Sequence, residues 1–253
     1  DAHIFVTEDD IGPEYQRVFE IVERFYSIFG MSYTFRLGTR PTSFMGDVPT
    51  WDRAEKTLKQ ILEDSSKEYF ILEGDGAFYG PKVDILMKDV LGREWQMGTI
   101  QLDFQQPARF NLEYTAADGS KKTPVAIHRV IYGSLERFIG ILIECYAGAF
   151  PLWLSPTQVA VLPISDEQNE YAQSIGDELK KSAIRVELNS RSESIGKKIR
   201  EAQTMKTPVM LIVGKKEVAA NEVSVRSREK GDEGTKKLEQ VVADLKKQIE
   251  ERT

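Results

Sequence analysis

The feature that most constrains the fold is a change of pattern halfway along the chain. From Val83 to Ile127 the sequence reads as strand after strand: Val83 to Val90, Glu94 to Phe104, Asn111 to Thr115 and Thr123 to Ile127. Only turn-sized segments separate them, such as Leu91-Gly92-Arg93 and Ala117-Asp118-Gly119-Ser120. A parallel pair needs a crossover of a dozen or more residues, so these spacings predict an antiparallel sheet. Past the stiff segment Pro151-Leu152-Trp153-Leu154-Ser155-Pro156 the pattern alternates. Strands are expected at Gln158–Pro163, Ile184–Leu188, Val209–Val213 and Val223–Arg226, with helices over about 166–181, 194–205 and 235–252. That alternation predicts an α/β unit with a mixed sheet. The chain has 253 residues, roughly 1.7 domains at about 150 residues each. The boundary is placed near 150–156, giving an α+β domain over 1–152 and an α/β domain over 153–253.

The first domain also carries helices. Ile11-Gly12-Pro13 opens one, with Pro13 suited to the first helical position, Val18, Phe19, Val22, Phe25, Tyr26 and Phe29 on one face, and Gly30 closing it. Met31 to Leu37 alternates as a strand, Trp51 to about Ser65 reads as an amphipathic helix, and Tyr69 to Leu72 as a short strand. Ser134 to about Ala147 is so apolar that it reads as a buried helix. Glu229 to Gly234 reads as a polar loop.

Composition narrows the class. Hydrophobic residues make up 41% and charged residues 29%, which excludes a disordered tail or a collagen-like chain. No run of about 18 apolar residues is present, so no membrane partner is expected. The first residues lack the charged and apolar regions of a secretory signal. The lone Cys145 cannot form an intrachain disulfide and fits a reducing, cytoplasmic compartment; it is read as filler on the apolar helix. The net charge of −6 argues mildly against nucleic acid, but it is unevenly spread. Residues 1–154 hold 16 basic against 23 acidic side chains, net −7; residues 155–253 hold 18 against 17, net +1; and 191–230 hold 10 against 5, net +5. Such an excess is ordinarily a solvated face.

Several stretches carry chemistry. In Gly133-Ser134-Leu135-Glu136-Arg137-Phe138 an arginine sits in the first turn of an apolar helix, the wrong sign for the helix dipole. If buried, its guanidinium needs an anion, either an internal carboxylate or a phosphate. Gly74-Asp75-Gly76-Ala77-Phe78-Tyr79-Gly80-Pro81-Lys82 combines small residues, which let a backbone approach a ligand, with a tyrosine and a lysine; alone it reads as a hairpin loop. Gln96 and Gln101 lie in an apolar strand an odd number of residues apart, hence on opposite faces unless a bulge at Gly98 reunites them. His3 and His128 are the only histidines.

Taken together, Asp1-Ala2-His3-Ile4-Phe5, Gly76 to Lys82, Trp95-Gln96 through Phe104, and Ile127-His128-Arg129 leading into Gly133 to Phe138 resemble the threonyl-tRNA synthetases, class II aminoacyl-tRNA synthetases. The likeness runs over essentially the whole chain. The last stretch resembles class II motif 3, and Trp153-Leu154-Ser155-Pro156 with Gln158-Val159 resembles the entry to the anticodon-binding domain shared with the prolyl, histidyl and glycyl enzymes.

The resemblance implies an incomplete class II catalytic domain followed by an anticodon-binding domain, and the two-step synthesis of threonyl-tRNA from threonine, ATP and tRNA(Thr). It implies a zinc that selects threonine, with His3 and His128 as metal ligands and a third, a cysteine, expected upstream along with motifs 1 and 2 and the editing domain. Asp1, Tyr79, Gln96, Gln101 and Ser134 are implied as substrate-binding. Arg137, Lys82 and Gln96 are implied at ATP with Mg²⁺, Arg137 and Lys82 being catalytic. In the second domain Glu217, Arg226, Arg191 and Ser192 are implied at the anticodon, although Ser192 replaces an asparagine of some members. Lys197, Lys198, Arg200 and Lys206 are expected to meet phosphate or solvent. A homodimer through the catalytic domain is implied. Two alternatives are a non-catalytic paralogue that binds tRNA or mRNA as a regulator, and the prolyl enzyme, which needs no such zinc. Gln106 stands where an apolar residue is expected.

Overall fold

A computed structural model describes residues 1–252. Contacts between Cα atoms divide it into two compact units, Asp1–Ile141 and Leu142 onward. In chain order the first holds β1 (Ala2–Val6), α1 (Ile11–Ile28), β2 (Tyr33–Gly38), α2 (Val48–Asp64), β3 (Tyr69–Leu72), β4 (Lys82–Lys88), β5 (Glu94–Asp103), α3 (Gln105–Arg109), β6 (Tyr114–Thr115), β7 (Lys121–Lys122), β8 (Val125–Val130) and the start of α4 (Leu135–Cys145). The division falls inside α4, ahead of the Pro151–Pro156 segment.

Six strands form one sheet in the order β1-β8-β5-β4-β2-β3. All its pairings are antiparallel, as the turn spacings predict, except β2 with β3. Strand alternation sorts the side chains by face. Phe35, Leu37, Val83, Ile85, Ile100, Leu102 and Ile127 are buried. Phe19 of α1 stacks against Phe35 with ring centroids 4.6 Å apart, which places α1 on that side. The opposite side of the same strands carries Arg36, Asp84, Thr99, Gln101 and His128. An apolar face roofed by a helix therefore leaves a polar face for chemistry.

The β4–β5 turn is built around Asp89. Burial would raise its carboxyl, but hydrogen bonds from the Trp95 indole, the Arg93 guanidinium and the backbone amides of Arg93 and Leu91 outweigh that and hold it down at about 2. A depressed folded-state pKa adds stability above the ordinary carboxylate value, and that stability drains away as pH falls from near 4 toward 2. Acid unfolding of Asp89→Asn, followed by circular dichroism, is expected to show a flatter dependence on pH across that window than the parent chain.

Three expectations are corrected here. Helix α4 is not wholly buried: Phe138 packs among Phe25 and Phe29, but Leu135, Ile139 and Ile143 form an exposed stripe at i, i+4 spacing. Pro13 is third in α1 rather than first, behind Ile11 and Gly12. Of Asn111–Thr115 only Tyr114–Thr115 is strand, because Gln105–Arg109 winds into a helix and Asn111 takes a left-handed conformation. Gln106 is exposed on that helix, which accounts for its polarity.

The second unit contains β9 (Val159–Pro163), α5 (Asn169–Lys181), β10 (Val186–Leu188), α6 (Ile195–Thr204), β11 (Val209–Val213), α7 (Lys215–Ala220), β12 (Val223–Ser227), β13 (Gly231–Lys236) and α8 (Leu238–Glu251). Its sheet runs β10-β9-β11-β12-β13, parallel among the first three and antiparallel for the rest. Val159, Val161, Leu211 and Val223 pack with Ile175 of α5 and Leu245 of α8, while Ala160, Leu162 and Met210 pack with Ala202 of α6. The helices thus cover both faces, as the alternating pattern predicts. The polar segment taken as a loop belongs instead to the region that forms edge strand β13, which completes β12 through backbone hydrogen bonds and needs no apolar side chains. Among the described residues no helix is long and apolar enough to cross a membrane.

Candidate functional site

A bulge assembles the site. Ile85 pairs with Gly98 and Leu86 with Gln96, so Met97 is an extra residue in β5. The slip returns Gln96 to the face of Thr99 and Gln101, as expected for a bulge at Gly98. Gly98 is required there, because a Cβ would strike the carbonyl oxygens of Val130 and Ile131. Gly133 has φ +71°, and a Cβ on it would strike the Met97 carbonyl. These two close approaches press the start of α4 onto the bulge. Gly98→Ala forces backbone against backbone and is expected to cost about 2–3 kcal/mol, measured by urea unfolding.

Arg137 consequently reaches the bulge. Its Nη1 donates to the Gln96 carbonyl at 2.9 Å and its guanidinium lies 5.6 Å from the Trp95 ring centroid. The guanidinium is not buried, so it needs no internal carboxylate and stays available to an anion. Ser134 Oγ accepts from the Arg137 amide at 3.3 Å, which caps the helix start.

Two fully buried carboxylates organise the polar face, and neither was singled out from the sequence. Asp84 Oδ2 accepts from Lys82 Nζ at 2.5 Å and Arg36 Nη2 at 2.7 Å; Oδ1 accepts from Thr99 Oγ1 at 2.8 Å and Gln96 Nε2 at 2.9 Å. Gln96 Oε1 accepts from Arg36 Nη2 at 2.8 Å, so a donor at one end and an acceptor at the other fix its amide. Asp103 plays the same part beside the histidines. Its Oδ2 lies 2.9 Å from His128 Nε2, and its Oδ1 accepts from the amides of Gln105 and Gln106 at 2.8 and 3.0 Å.

His3 pairs with His128 across β1 and β8, with ring centroids 4.8 Å apart and nearly perpendicular rings. Tyr79 lies edge-on to His128 at 5.8 Å and donates its hydroxyl to Gln101 Oε1. Burial, aided by the Asp103 charge, pushes the Tyr79 phenol up, so it remains a donor at neutral pH. Asp1 is exposed, two residues before His3 and on the same side by alternation. The face therefore gathers His3, His128, Tyr79, Gln101, Gln96, Lys82 and Arg137 from five elements and a loop. Two adjacent imidazoles, one steadied by a carboxylate, suit a zinc ion in donor type. Among the described residues no group of three His, Cys, Asp or Glu side chains is arranged to hold a metal ion by itself, and Cys145 is a half-buried free thiol on α4 rather than core filler.

The second unit disperses its expected residues. Glu217 Oε2 accepts from the Gly214 amide at 2.9 Å and caps α7. Arg226 lies on β12 opposite Met210, on the α6 side, and Ser192 is exposed. Arg191 pairs with Glu201 and Asn189. Two lysines of the basic stretch are engaged within the unit while its net charge stays +5: Lys197 meets Glu193 at 2.6 Å, and Lys206 donates to the Ala147 carbonyl. Lys198 is no solvated lysine. It is 1% exposed, with Nζ donating to the Pro163 carbonyl at 2.8 Å, and burial lowers its pKa.

The tRNA synthetase class II core domain (G, H, P, S and T) family matches residues 1–146, and the anticodon binding domain family matches residues 158–248. Threonine–tRNA ligases of Clostridioides difficile and Clostridium tetani are 54% and 53% identical over 252 residues. Each alignment covers all of this chain and 39% of the relative, so the chain spans about two fifths of the curated relatives' length. A crystal structure of the RNA binding domain of threonyl-tRNA synthetase from Cryptosporidium parvum superposes with a TM-score of 0.92 at 38% identity, covering 97% of this chain and 62% of the other.

Proposed function

The chain belongs to the class II aminoacyl-tRNA synthetases, through their core domain family of glycine, histidine, proline, serine and threonine enzymes, and on that premise we propose that it is the motif 3 portion of the catalytic domain and the anticodon-binding domain of a threonine–tRNA ligase. The observation that carries this reading is the pairing of His3 with His128 on one sheet face with Gln101, Gln96 and Lys82. Residues 1–152 form the catalytic portion and 153–253 the anticodon-binding domain.

In the first step the threonine carboxylate attacks the α-phosphorus of ATP and pyrophosphate leaves; in the second the terminal adenosine hydroxyl of tRNA(Thr) loses its proton and attacks the adenylate carbonyl, the acyl–phosphate bond breaks and AMP leaves. Neither step uses a protein nucleophile. Catalysis comes from placing the reactants and offsetting charge. Lys82 and Arg137 face the phosphates of ATP, which carries Mg²⁺. Gln96, held in one orientation by Arg36 and Asp84, presents its backbone carbonyl to Arg137. Tyr79 lies near the threonine amino group, Gln96 and Gln101 line the amino-acid and adenylate pocket, Asp1 accepts from the threonine hydroxyl, and Ser134 joins them in binding substrate.

His3 and His128 would be two of the residues that hold a zinc ion, with a cysteine as the third protein ligand. Held there, a zinc ion would supply a Lewis acid that discriminates for the threonine hydroxyl, and valine, which lacks that hydroxyl, would be rejected. A site built for a hydroxyl discriminates far more strongly than a pocket sensing one methyl, which is worth about 1–3 kcal/mol. Serine keeps the hydroxyl and is the competitor that leaks through.

Glu217, Arg226, Arg191 and Ser192 read the anticodon, and the basic stretch 191–230 supplies phosphate affinity. Arg191 then exchanges its Glu201 partner for RNA. The ligase works in the cytoplasm as a homodimer through its catalytic domain. The test is ATP–pyrophosphate exchange by the complete chain containing these residues. Threonine is expected to drive exchange, serine to drive it more weakly and valine not at all. Retained RNA binding with no exchange would instead identify a regulatory paralogue.

A further inference from the structure

Two cations share one small region of the sheet face, and two carboxylates flank them in different ways. The inner one, Asp84, is fully buried and held by donors from four side chains, so it cannot leave. The outer one, Asp75, has a third of its side chain exposed and is bonded through a single oxygen. That oxygen sits 2.9 Å from Lys82 Nζ and 3.3 Å from Arg36 Nη2. Both cations are largely sequestered, at 12% and 15% side-chain exposure, so Asp75 occupies their open side.

The backbone around Asp75 is anchored separately. Gly74 donates to Thr39 Oγ1 at 3.1 Å and Gly76 to the Thr39 carbonyl at 2.7 Å. The carboxylate is thus free to swing away by side-chain rotation without loss of the loop. Asp84 neutralises only one of the two positive charges, so departure of Asp75 leaves a net +1 facing the open side. A desolvated cation pair of that kind requires another anion.

We propose that Arg36 and Lys82 form an anion subsite and that the Asp75 carboxylate is its resident, exchangeable counter-ion, displaced when an anionic group of the substrate enters. The inference rests on the reading of Lys82 as a substrate contact; Arg36 and Asp75 are its new members. Asp75 keeps the cations paired while the site is empty, at the cost of competing with the incoming group.

The probe is inorganic pyrophosphate, titrated calorimetrically into the complete synthetase chain without threonine or tRNA. Asp75→Asn removes the competitor while keeping the side-chain shape and is expected to tighten pyrophosphate binding about five- to tenfold. Asp75→Glu, which restores the charge, should return the parent affinity. Arg36→Gln in the Asp75→Asn background should abolish the gain. Unchanged or weaker binding by Asp75→Asn overturns the proposal, as does a gain that survives Arg36→Gln. If Arg36→Gln does not fold, the comparison of Asn with Glu at position 75 decides alone. Loss of threonine-dependent exchange in the parent chain refutes the ligase reading without touching this result, so the two fail separately.

Discussion

Asp84→Ala is expected to cost about 3–5 kcal/mol of folding stability, the range for removing one partner of a buried ion pair. Asp84 is fully buried, and its loss leaves Arg36 and Lys82 sharing one outer carboxylate while Thr99 and Gln96 lose their acceptor. Urea unfolding reads the effect as a drop in midpoint at constant slope. The double variant Asp84→Ala/Arg36→Leu removes a cation with the carboxylate and should recover part of that loss, giving a non-zero coupling energy in a double-mutant cycle with the Asp84→Ala and Arg36→Leu singles. Exchange activity should fall with Asp84→Ala even where the protein remains folded, because Lys82 and Gln96 lose their common reference point. A change below about 1 kcal/mol, the size of an ordinary surface pair, would remove Asp84 from the centre of the site.

The second large effect is expected at His128. His128→Ala should lower threonine-dependent exchange by about 10³-fold or more, in line with loss of a principal charge-stabilising or hydroxyl-recognising contact. Valine-dependent exchange should stay at background, since the hydroxyl-reading site is lost rather than widened. Zinc bound per chain, measured by atomic absorption, should fall in parallel. Asp103→Asn is a milder companion. It keeps the shape but weakens the contact at His128 Nε2, and outer partners of this kind are worth about 10–100-fold in metal affinity or activity. Unaltered zinc content in His128→Ala would withdraw that residue from the metal site.

Much of this architecture was legible in the chain. Turn-sized gaps between strands specify the antiparallel sheet, and the strand–helix alternation past Pro156 specifies the mixed one. Gly98 foretold the bulge, since a glycine inside an apolar strand marks either a kink or a close backbone approach, and here it is both. What escaped was the inner layer of the site. Asp84 and Asp103 sit at polar positions of alternating strands, where an aspartate reads as a solvated side chain. Their burial depends on partners far away in sequence, 48 residues in the case of Arg36 and 25 for His128. Edge strand β13 escaped for a different reason. Backbone pairing needs no side-chain pattern, so a polar glycine-rich segment can form strand wherever a neighbouring edge offers hydrogen bonds. The apolar helix α4 misled because composition gives the amount of apolar surface but not what covers it; its outer stripe is open in these residues.

The most direct test of the central claim, that one polar sheet face binds the activated amino acid, is the affinity of the complete chain for a non-hydrolysable threonyl-adenylate analogue. Lys82→Met and Gln101→Ala, both on that face, are expected to weaken binding about 100-fold or more. Lys180→Ala, on the exposed side of α5 in the other unit, should bind as the parent does. Parent-like binding by Lys82→Met and Gln101→Ala would contradict the account.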